Sequence, residues 1–342
     1  MYTRILNMKT KYSILELAMV NENTSHETVF KNSVEIAQKA EELGYHRFWL
    51  AEHHNMVSIA SSATTVLMGH IAAKTNSIRV GSGGIMLPNH SPLVVAEQLG
   101  TLGNLFPNRM DLGLGRAPGT DQVTAQAIRS DRMQSVHRFP QEVDEIQGYF
   151  ENTSSTTKVR ATVAEGVDVP IYILGSSTDS AHLAAKKGLP YVFASHFAPA
   201  QLHHALAIYH NEFQPSKYLD KPYTIAAVNI IAANSSEEAE RRSTSMYRMM
   251  LGVLTQQLDY MQPPIDMNDE IRQLRSHPAL KQMLNYTFIG DKDEVKAMTK
   301  KFIEDTGVDE IMTTSYLFHQ ADRLESIGIF SEVMEEIKNE EC

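Results

Sequence analysis

The segment HRFWLAEHHN (46–55) joins an apolar run directly to a carboxylate and two imidazoles. Its apolar part, RFWLA (47–51), does not alternate with polar residues, which is typical of a strand that is buried on both faces. The polar part follows at the carboxyl end of that strand. The same order of a short apolar run and then a polar cluster recurs along the chain, so this segment represents the repeating unit of the fold.

Eight such apolar runs occur, and the segments between them have helical spacing. Phe30, Val34 and Ala37, for example, share one helical face in a segment that ends at Gly44. Strands buried on both faces that alternate with helices pair in parallel through crossover units. The pattern therefore predicts a (β/α)8 TIM barrel, with a doubly wound open sheet as the alternative. The runs are YSILELAMV (12–20), RFWLA (47–51), SIRVGSGGIML (77–87), RMDLGLG (109–115), VPIYILG (169–175), LPYVFAS (189–195), YTIAAVNIIAA (223–233) and VDEIMTT (308–314).

The domain prediction is one barrel over residues 1–342, with 1–10 as an N-terminal extension. Two stretches, 116–132 and 254–286, are longer than ordinary barrel connections. Long connections of this kind often serve as lids or subunit contacts. We expect both stretches to be insertion segments at the carboxyl-end face of the barrel. Residues 254–286 are expected to form a lid or insertion there.

Composition excludes several kinds of partner. The 342 residues include 31 basic and 41 acidic side chains, a net charge of −10, which disfavours nucleic acid. The single cysteine, Cys342, excludes an internal disulfide and fits a reducing compartment. No run reaches the roughly 18 consecutive apolar residues of a membrane span, and the first residues do not resemble a signal peptide. We therefore predict a cytoplasmic protein with no membrane partner.

The polar cluster AEHHN (51–55) has three interpretations. A metal site needs converging ligands, whereas adjacent histidines on a strand point to opposite sides. A strand end with hydrogen-bonded or solvated histidines is the second interpretation. The third is that one imidazole reaches a pocket as a proton donor or acceptor, for which an ordinary pKa of about 6.5 is suitable. We predict no metal.

An anion site is predicted where two further strands end. Arg116 follows a strand in GLGRAPG (113–119), and Ser176 and Ser177 follow another in GSSTDS (175–180) at the start of a helix. Either serine could serve as an ordinary N-cap. Together, however, a guanidinium, hydroxyls and free N–H groups at a helix start form a phosphate site.

Two glycines interrupt an otherwise regular strand. Gly83 and Gly84 lie within VGSGGIML (80–87), where glycine costs about 0.5–1 kcal/mol relative to alanine. A β-bulge is one explanation, and close approach of the backbone to a flat ligand is the other. The strand continues after the glycines and does not open a helix, so the dinucleotide fingerprint GxGxxG is absent.

From about Lys11 to Ile337 the chain resembles the bacterial luciferase-like flavin monooxygenases, in their alkanal-monooxygenase-like branch. The resemblance rests on several motifs that occur together in one order. They are HRFWLAEHHN (46–55), IRVGSGGIMLPNHSPLVVAEQ (78–98), RMDLGLGRAPGTD (109–121), LGSSTDSAHLAA (174–185) and YTFIGDKDEV (286–295).

This resemblance implies a barrel that holds reduced FMN at its carboxyl face. It implies that His53 is the catalytic histidine near flavin and substrate, and that Gly83-Gly84 forms a non-prolyl cis peptide against the flavin ring. Arg116 corresponds to the phosphate arginine of the family. Ser177 and Ser180, with Ser176 beside them, fall on its phosphate-binding helix start.

The implied reaction uses dioxygen and reduced FMN, supplied by a separate flavin reductase, to oxygenate a small organic substrate, with an aldehyde as a candidate. Gly115 stands where light-emitting members carry a reactive cysteine, which argues against light emission. The resemblance also implies a homodimer. Hydride transfer with a deazaflavin and non-catalytic flavin binding are the alternatives. Further candidates for pocket-lining residues are Met86, Asn89, Phe193 and His196.

Overall fold

Eight parallel strands close into a ring, so the predicted (β/α)8 barrel is confirmed and the open sheet was wrong. The computed structural model describes residues 10–117, 119–129, 131–151 and 158–340, without the side chains of 132 and 133. In the ring, β10 pairs with both β8 and β1. The strands are β1 (Lys11–Glu16), β2 (Arg47–Leu50), β3 (Arg79–Ser82), β4 (Ile85–Met86), β5 (Met110–Gly115), β6 (Ile171–Gly175), β7 (Tyr191–Phe193), β8 (Thr224–Ala232), β9 (Thr287–Gly290) and β10 (Glu310–Thr314).

Helices occupy the connections between the strands. The first begins at Ser25, whose side chain accepts a hydrogen bond from Thr28 N, and ends just before Gly44, as predicted. Nearly all of 1–10, the expected N-terminal extension, lies outside the described residues. The helices are α1 (His26–Glu42), α2 (Thr64–Ala72), α3 (Pro92–Leu105), α4 (Gln122–Ile128), α5 (Arg132–Phe150), α6 (Thr178–Lys187), α7 (Leu202–Glu212), α8 (Ser236–Thr255), α9 (Asp269–Ser276), α10 (Pro278–Met283), α11 (Lys292–Thr306) and α12 (Gln320–Glu340).

Successive residues along each strand belong alternately to one of two apolar clusters. Residues such as Phe48 and Leu50 point outward and pack with the helices. Residues such as Trp49, Tyr172 and Met312 belong to a second cluster, which fills the barrel interior. Both faces of every barrel strand are therefore covered, which explains why the strands are apolar throughout.

A buried ionic network fills the amino-terminal part of the interior. The Arg47 side chain, only 3% exposed, lies between Glu310 and Asp111. Its Nε is 2.8 Å from Glu310 Oε1, and its Nη1 is 2.8 Å from Asp111 Oδ2. Burial lowers the pKa of Arg47, but the two carboxylates outweigh this and raise it, so the guanidinium remains charged.

Neutral and cationic donors complete this network. Trp49 Nε1 donates to Asp111 at 2.9 Å, and the Tyr223 hydroxyl donates to Glu310 at 2.6 Å. Arg79 Nη2 lies 2.6 Å from the other Asp111 oxygen. The carboxylates thus have partners on several strands, as buried charges require.

One strand and its connection lie outside the ring. β9 was not predicted; it pairs with Asn229 to Ala232 at the end of β8, and the first of these residues, Asn229, also pairs with Thr314 of β10 in the ring. The preceding stretch, 254–286, carries α9 and α10 and covers the carboxyl end. Met261 exchanges backbone hydrogen bonds with Val20 and Glu22, just after β1. This segment therefore lies at the carboxyl-end face of the barrel.

The other insertion, 116–132, follows β5 directly at the same face and contains α4. Arg129, at the end of α4, donates from Nη1 to the carbonyl of His90 at 2.6 Å. Both insertions therefore border the carboxyl end of the barrel. Within the described ranges, no helix combines the length and apolarity needed to cross a membrane.

We predict that Arg47→Met lowers the free energy of unfolding by about 3–5 kcal/mol, because it leaves two buried carboxylates without their shared cation. Urea denaturation at pH 7 measures the change. Arg138→Met is the matched control, since Arg138 pairs with Glu145 at the surface with 59% of its side chain exposed. Equal stability of the two variants would contradict the role of the network.

Candidate active site

The polar ends of the strands meet at the carboxyl mouth of the barrel, because all eight strands run in the same direction. There the structure brings together the segment after β2, the glycines between β3 and β4, and the segments after β5, β6 and β7. This position is where parallel barrels carry their active sites.

Glu52 is the centre of the hydrogen bonds on one side of this mouth. Its side chain is 1% exposed and accepts from Met86 N and Asn89 Nδ2, both at 3.0 Å. His54 Nε2 and His90 Nε2 each lie 2.9 Å from a carboxylate oxygen. Burial raises the pKa of Glu52, but the hydrogen bonds from His54 and His90 lower it to about 2. Glu52 is therefore a carboxylate that ties β2 to β4 and to the start of α3.

The predicted catalytic histidine is held beside this carboxylate. His53 N donates to Ser61 O at 2.9 Å, and His53 Nδ1 lies 3.3 Å from Gly119 O. A carbonyl only accepts, so we assign the proton to Nδ1, which leaves the Nε2 lone pair for a reacting group. Burial lowers the pKa of His53, so the imidazole is neutral at pH 7.

Gly83 and Gly84 form both a cis peptide and a bulge. The bond between them is cis, as the resemblance implied. Gly81 lies opposite Asp111, whereas Ile85 lies opposite Leu114, so four residue steps face three on β5. This single extra residue is a β-bulge.

Neighbouring protein atoms explain the absence of side chains here. A Cβ on Gly83 would lie 2.6 Å from Leu15 Cδ1, and one on Gly84 would lie 2.8 Å from Gly113 O. The close packing of the barrel wall requires both glycines. The flat-ligand explanation stays a prediction.

The predicted anion site is assembled from β5 and α6. Arg116 Nη2 lies 3.0 Å from Asp179 Oδ2, in the first turn of α6, and both side chains are about half exposed or more. Ser177 is the N-cap residue, yet its side chain makes no capping hydrogen bond. Ser180 Oγ instead donates to Ser177 O at 2.8 Å. Arg116 and Ser177 thus have the chemistry of a phosphate site, whereas the Ser180 hydroxyl stabilises the turn.

A groove of about 420 Å³ begins at these serines. Ser176 and Ser177 line one side, and Phe197 and Gln201 line the next. The insertion segment contributes Met283 of α10. Thr178 N donates to Gln201 Oε1 at 3.2 Å, so one of the free N–H groups of α6 is already used.

The prediction that Phe193 lines the pocket was wrong. It is fully buried among the outward residues that pack with helices, because it alternates with the inward residue Val192. Asn89 bonds Glu52, and His196 is buried with 7% exposed. Sequence reasoning missed Glu52 as the central acceptor, although a carboxylate at the end of an apolar strand was a usable signal.

Metal ligation gains no support from this geometry. In the part of the chain that the structure describes, no group of three or more His, Cys, Asp or Glu side chains could hold a metal ion. The two histidines nearest Glu52 donate hydrogen bonds to it instead.

We predict that Glu52→Gln lowers the free energy of unfolding at pH 7 by about 3 kcal/mol, because the folded pKa is about 2 against an ordinary 4.5. A depressed pKa stabilises the protein above about pH 4.5, and this contribution is lost as the pH falls towards 2. Urea denaturation at pH 7 and pH 3 should therefore show a smaller difference from the parent protein at pH 3. The exposed Glu27→Gln is the control, and a pH-independent difference would contradict the assignment.

Comparison with known proteins identifies the family. The profile described as luciferase-like monooxygenase matches residues 10–325. A luciferase-like monooxygenase of Escherichia coli strain K12 is 44% identical over 95% of this chain and 97% of its own length. The N-acetyl-S-alkylcysteine monooxygenase of Bacillus subtilis is 36% identical over 69% of this chain and 71% of its own length.

The solved structure of apo-MsnO8 is also similar. It is 31% identical, covers 95% of this chain and 98% of its own, and superposes with a TM-score of 0.87. The family profile spans the barrel strands and the residues of the mouth described above. The chain therefore belongs to the luciferase-like monooxygenase family and is an oxidoreductase.

Proposed function

We propose that this protein is an FMN-dependent monooxygenase that uses reduced FMN and dioxygen to oxygenate a small organic substrate, with an aldehyde as a candidate. A separate reductase would supply the reduced flavin, since the chain has no nicotinamide fingerprint. The observation that supports the proposal most is the meeting of His53, the Gly83-Gly84 bulge and Arg116 at one barrel mouth.

The residues of the mouth suit FMN in both charge and shape. Arg116, Ser176 and Ser177 would hold the phosphate, with Ser180 supporting the turn, and the side-chain-free Gly83-Gly84 segment would lie against the ring. Bound reduced FMN supplies the two electrons that activate dioxygen. A 3,6-diketocamphane monooxygenase solved with FMN shares the fold at 14% identity, with a TM-score of 0.70.

The fold alone does not determine whether FMN or a deazaflavin binds. An F420-dependent secondary alcohol dehydrogenase has the same TM-score of 0.70 at 15% identity. Hydride transfer with a deazaflavin is therefore the second candidate function, and a flavin-binding protein without catalysis is the third. Oxygen consumption separates the first from the other two.

His53 would act on a proton of the substrate or the activated oxygen. Its Nε2 accepts, because Nδ1 is used by Gly119 O. A neutral imidazole with a free ring nitrogen can accept a proton as a general base. Glu52, adjacent in sequence, is anchored by His54 and His90 and so fixes the strand end that carries His53.

The segment 254–286 would serve as a lid. It is joined to the segment after β1 through Met261, and Ile271 and Leu280 pack into the interior cluster. An apolar cover of this kind excludes water from the mouth, which oxygen chemistry on a flavin requires.

A homodimer would form through α2 and α3. Val66 on α2 is 69% exposed, and on α3 Val94 is 44% and Leu105 64% exposed. Apolar side chains that are left open on adjacent helices are typical of a subunit interface.

We predict that His53→Ala reduces oxygen-dependent turnover by about 10²–10⁴-fold and leaves FMN affinity nearly unchanged. Reduced FMN and candidate aldehydes are mixed with the protein, and oxygen uptake is recorded with product analysis. His26→Ala, at the exposed start of α1, is the control. If oxygen uptake does not exceed that of free reduced FMN, the deazaflavin or carrier alternatives are favoured. Unchanged turnover in His53→Ala would exclude the proposed role of His53 in proton transfer.

We predict that Arg116→Ala weakens FMN binding by about 10- to 100-fold but leaves riboflavin binding unchanged, because only FMN carries the phosphate. Quenching of flavin fluorescence measures both affinities. Arg138→Ala, a surface arginine on α5, is the control. An equal loss for both flavins would contradict the phosphate role of Arg116.

A further inference from the structure

Among the buried polar atoms that lack a hydrogen-bond partner in the described residues, two belong to neighbouring residues near the mouth. They are His196 Nδ1, just after β7, and Asn229 Oδ1 on β8. His196 is 7% exposed and Asn229 is fully buried. Buried polar groups are nearly always paired, so these two exceptions require an explanation.

The orientation of the Asn229 carboxamide is fixed. Its Nδ2 donates to His196 O at 2.7 Å and to Thr287 Oγ1 at 3.0 Å. A backbone carbonyl only accepts, so the amide cannot be reversed. Asn229 Oδ1 is therefore an acceptor that needs a donor from elsewhere.

Both side chains belong to the interior of the mouth. Ile225, Ala227 and Ile231 of β8 point into the barrel, and Asn229 shares their alternation. His196 lies beside it, on the segment that follows the neighbouring strand β7. His196 and His53 are close enough to interact electrostatically, which relates the pair to the proposed catalytic group.

The charge of the pair limits the ligand. Burial, and then the nearby His53, lowers the pKa of His196 to about 3, so this imidazole is neutral at pH 7. A neutral imidazole and a carboxamide oxygen give no charge attraction to a carboxylate. They favour a neutral group that donates at least one hydrogen bond.

We propose that His196 and Asn229 form a substrate subsite for a neutral secondary amide. The amide N–H donates to Asn229 Oδ1, and the amide carbonyl accepts from His196 Nδ1–H. One small group then satisfies both unpaired atoms. This assignment deepens the proposed function and rests on it. The N-acetyl group named for the Bacillus subtilis relative is an amide of this class.

Phe197 lies beside the subsite. Its ring packs edge-on against the His196 ring, with 4.8 Å between centroids, and it is 47% exposed in the groove beside α10. A substrate that enters there passes from the α10 side towards the interior.

The test compares the binding of two probes that differ only in an amide N–H replaced by an ester oxygen. The first is the methyl ester of N-acetyl-S-methylcysteine, and the second is its analogue with an ester oxygen in place of the amide N–H. Calorimetric titration of the full chain with FMN present should give about 10- to 100-fold tighter binding of the amide, because the ester leaves a buried acceptor unpaired.

Two variants separate the roles of the pair. Asn229→Leu should abolish the preference for the amide, since it removes the acceptor of the N–H. His196→Leu should weaken both probes by a similar factor and keep the preference, since both retain the carbonyl. His204→Leu, at an exposed position on α7, is the control.

Equal affinity for the two probes in the parent protein, or no binding of the amide, would overturn the assignment. That comparison needs no variant, so a misfolded Asn229→Leu protein does not affect it. Binding is also measured without turnover. Failure of the subsite therefore leaves the oxygen-uptake test of the monooxygenase intact, and failure of oxygen uptake leaves the probe comparison valid.

Discussion

The guanidinium of Arg47 between two buried carboxylates is the constraint on which the barrel depends. It connects β2 with β5 on one side, through Asp111, and with β10 on the other, through Glu310. A cation placed in this way is stable only while both partners hold their positions, because an unpaired buried charge is costly. The amino-terminal part of the interior is consequently filled by one ionic network. The opposite end carries a different polar set, in which Glu52 anchors one side of the mouth and Arg116 lies on another.

The eight predicted runs contain nine of the ten strands, with β3 and β4 in one run, because the ring strands are buried on both faces and each reads as an apolar run. β9 could not be predicted in this way. Its four residues, Thr287 to Gly290, are only alternately buried, since it pairs with the end of β8 outside the ring. The break between β3 and β4 was visible as Gly83-Gly84, but only the strand register shows that it adds one residue.

The candidate site could be predicted in its local parts alone. His53, Arg116 and Ser177 each follow an apolar run directly, and the parallel direction of the strands brings them to one mouth. The position of Glu52 at a strand end was visible in the sequence, but its hydrogen-bond partners were not, because they include Asn89 and His90, more than 35 residues away. Which histidine lacks a partner is likewise a property of packing across strands, and no spacing in the sequence encodes it.

The length of β8 has a consequence for how such barrels diversify. Its nine residues pair with β10 in the ring and, further along, with β9 outside it, so one continuous strand anchors both ends of the connection that carries α9 and α10. Because that connection leaves and returns beside the same strand, its length and composition can change without a change in ring register. Changes in the cover of the mouth therefore leave the ionic network of the interior and the pairing of the eight ring strands in place.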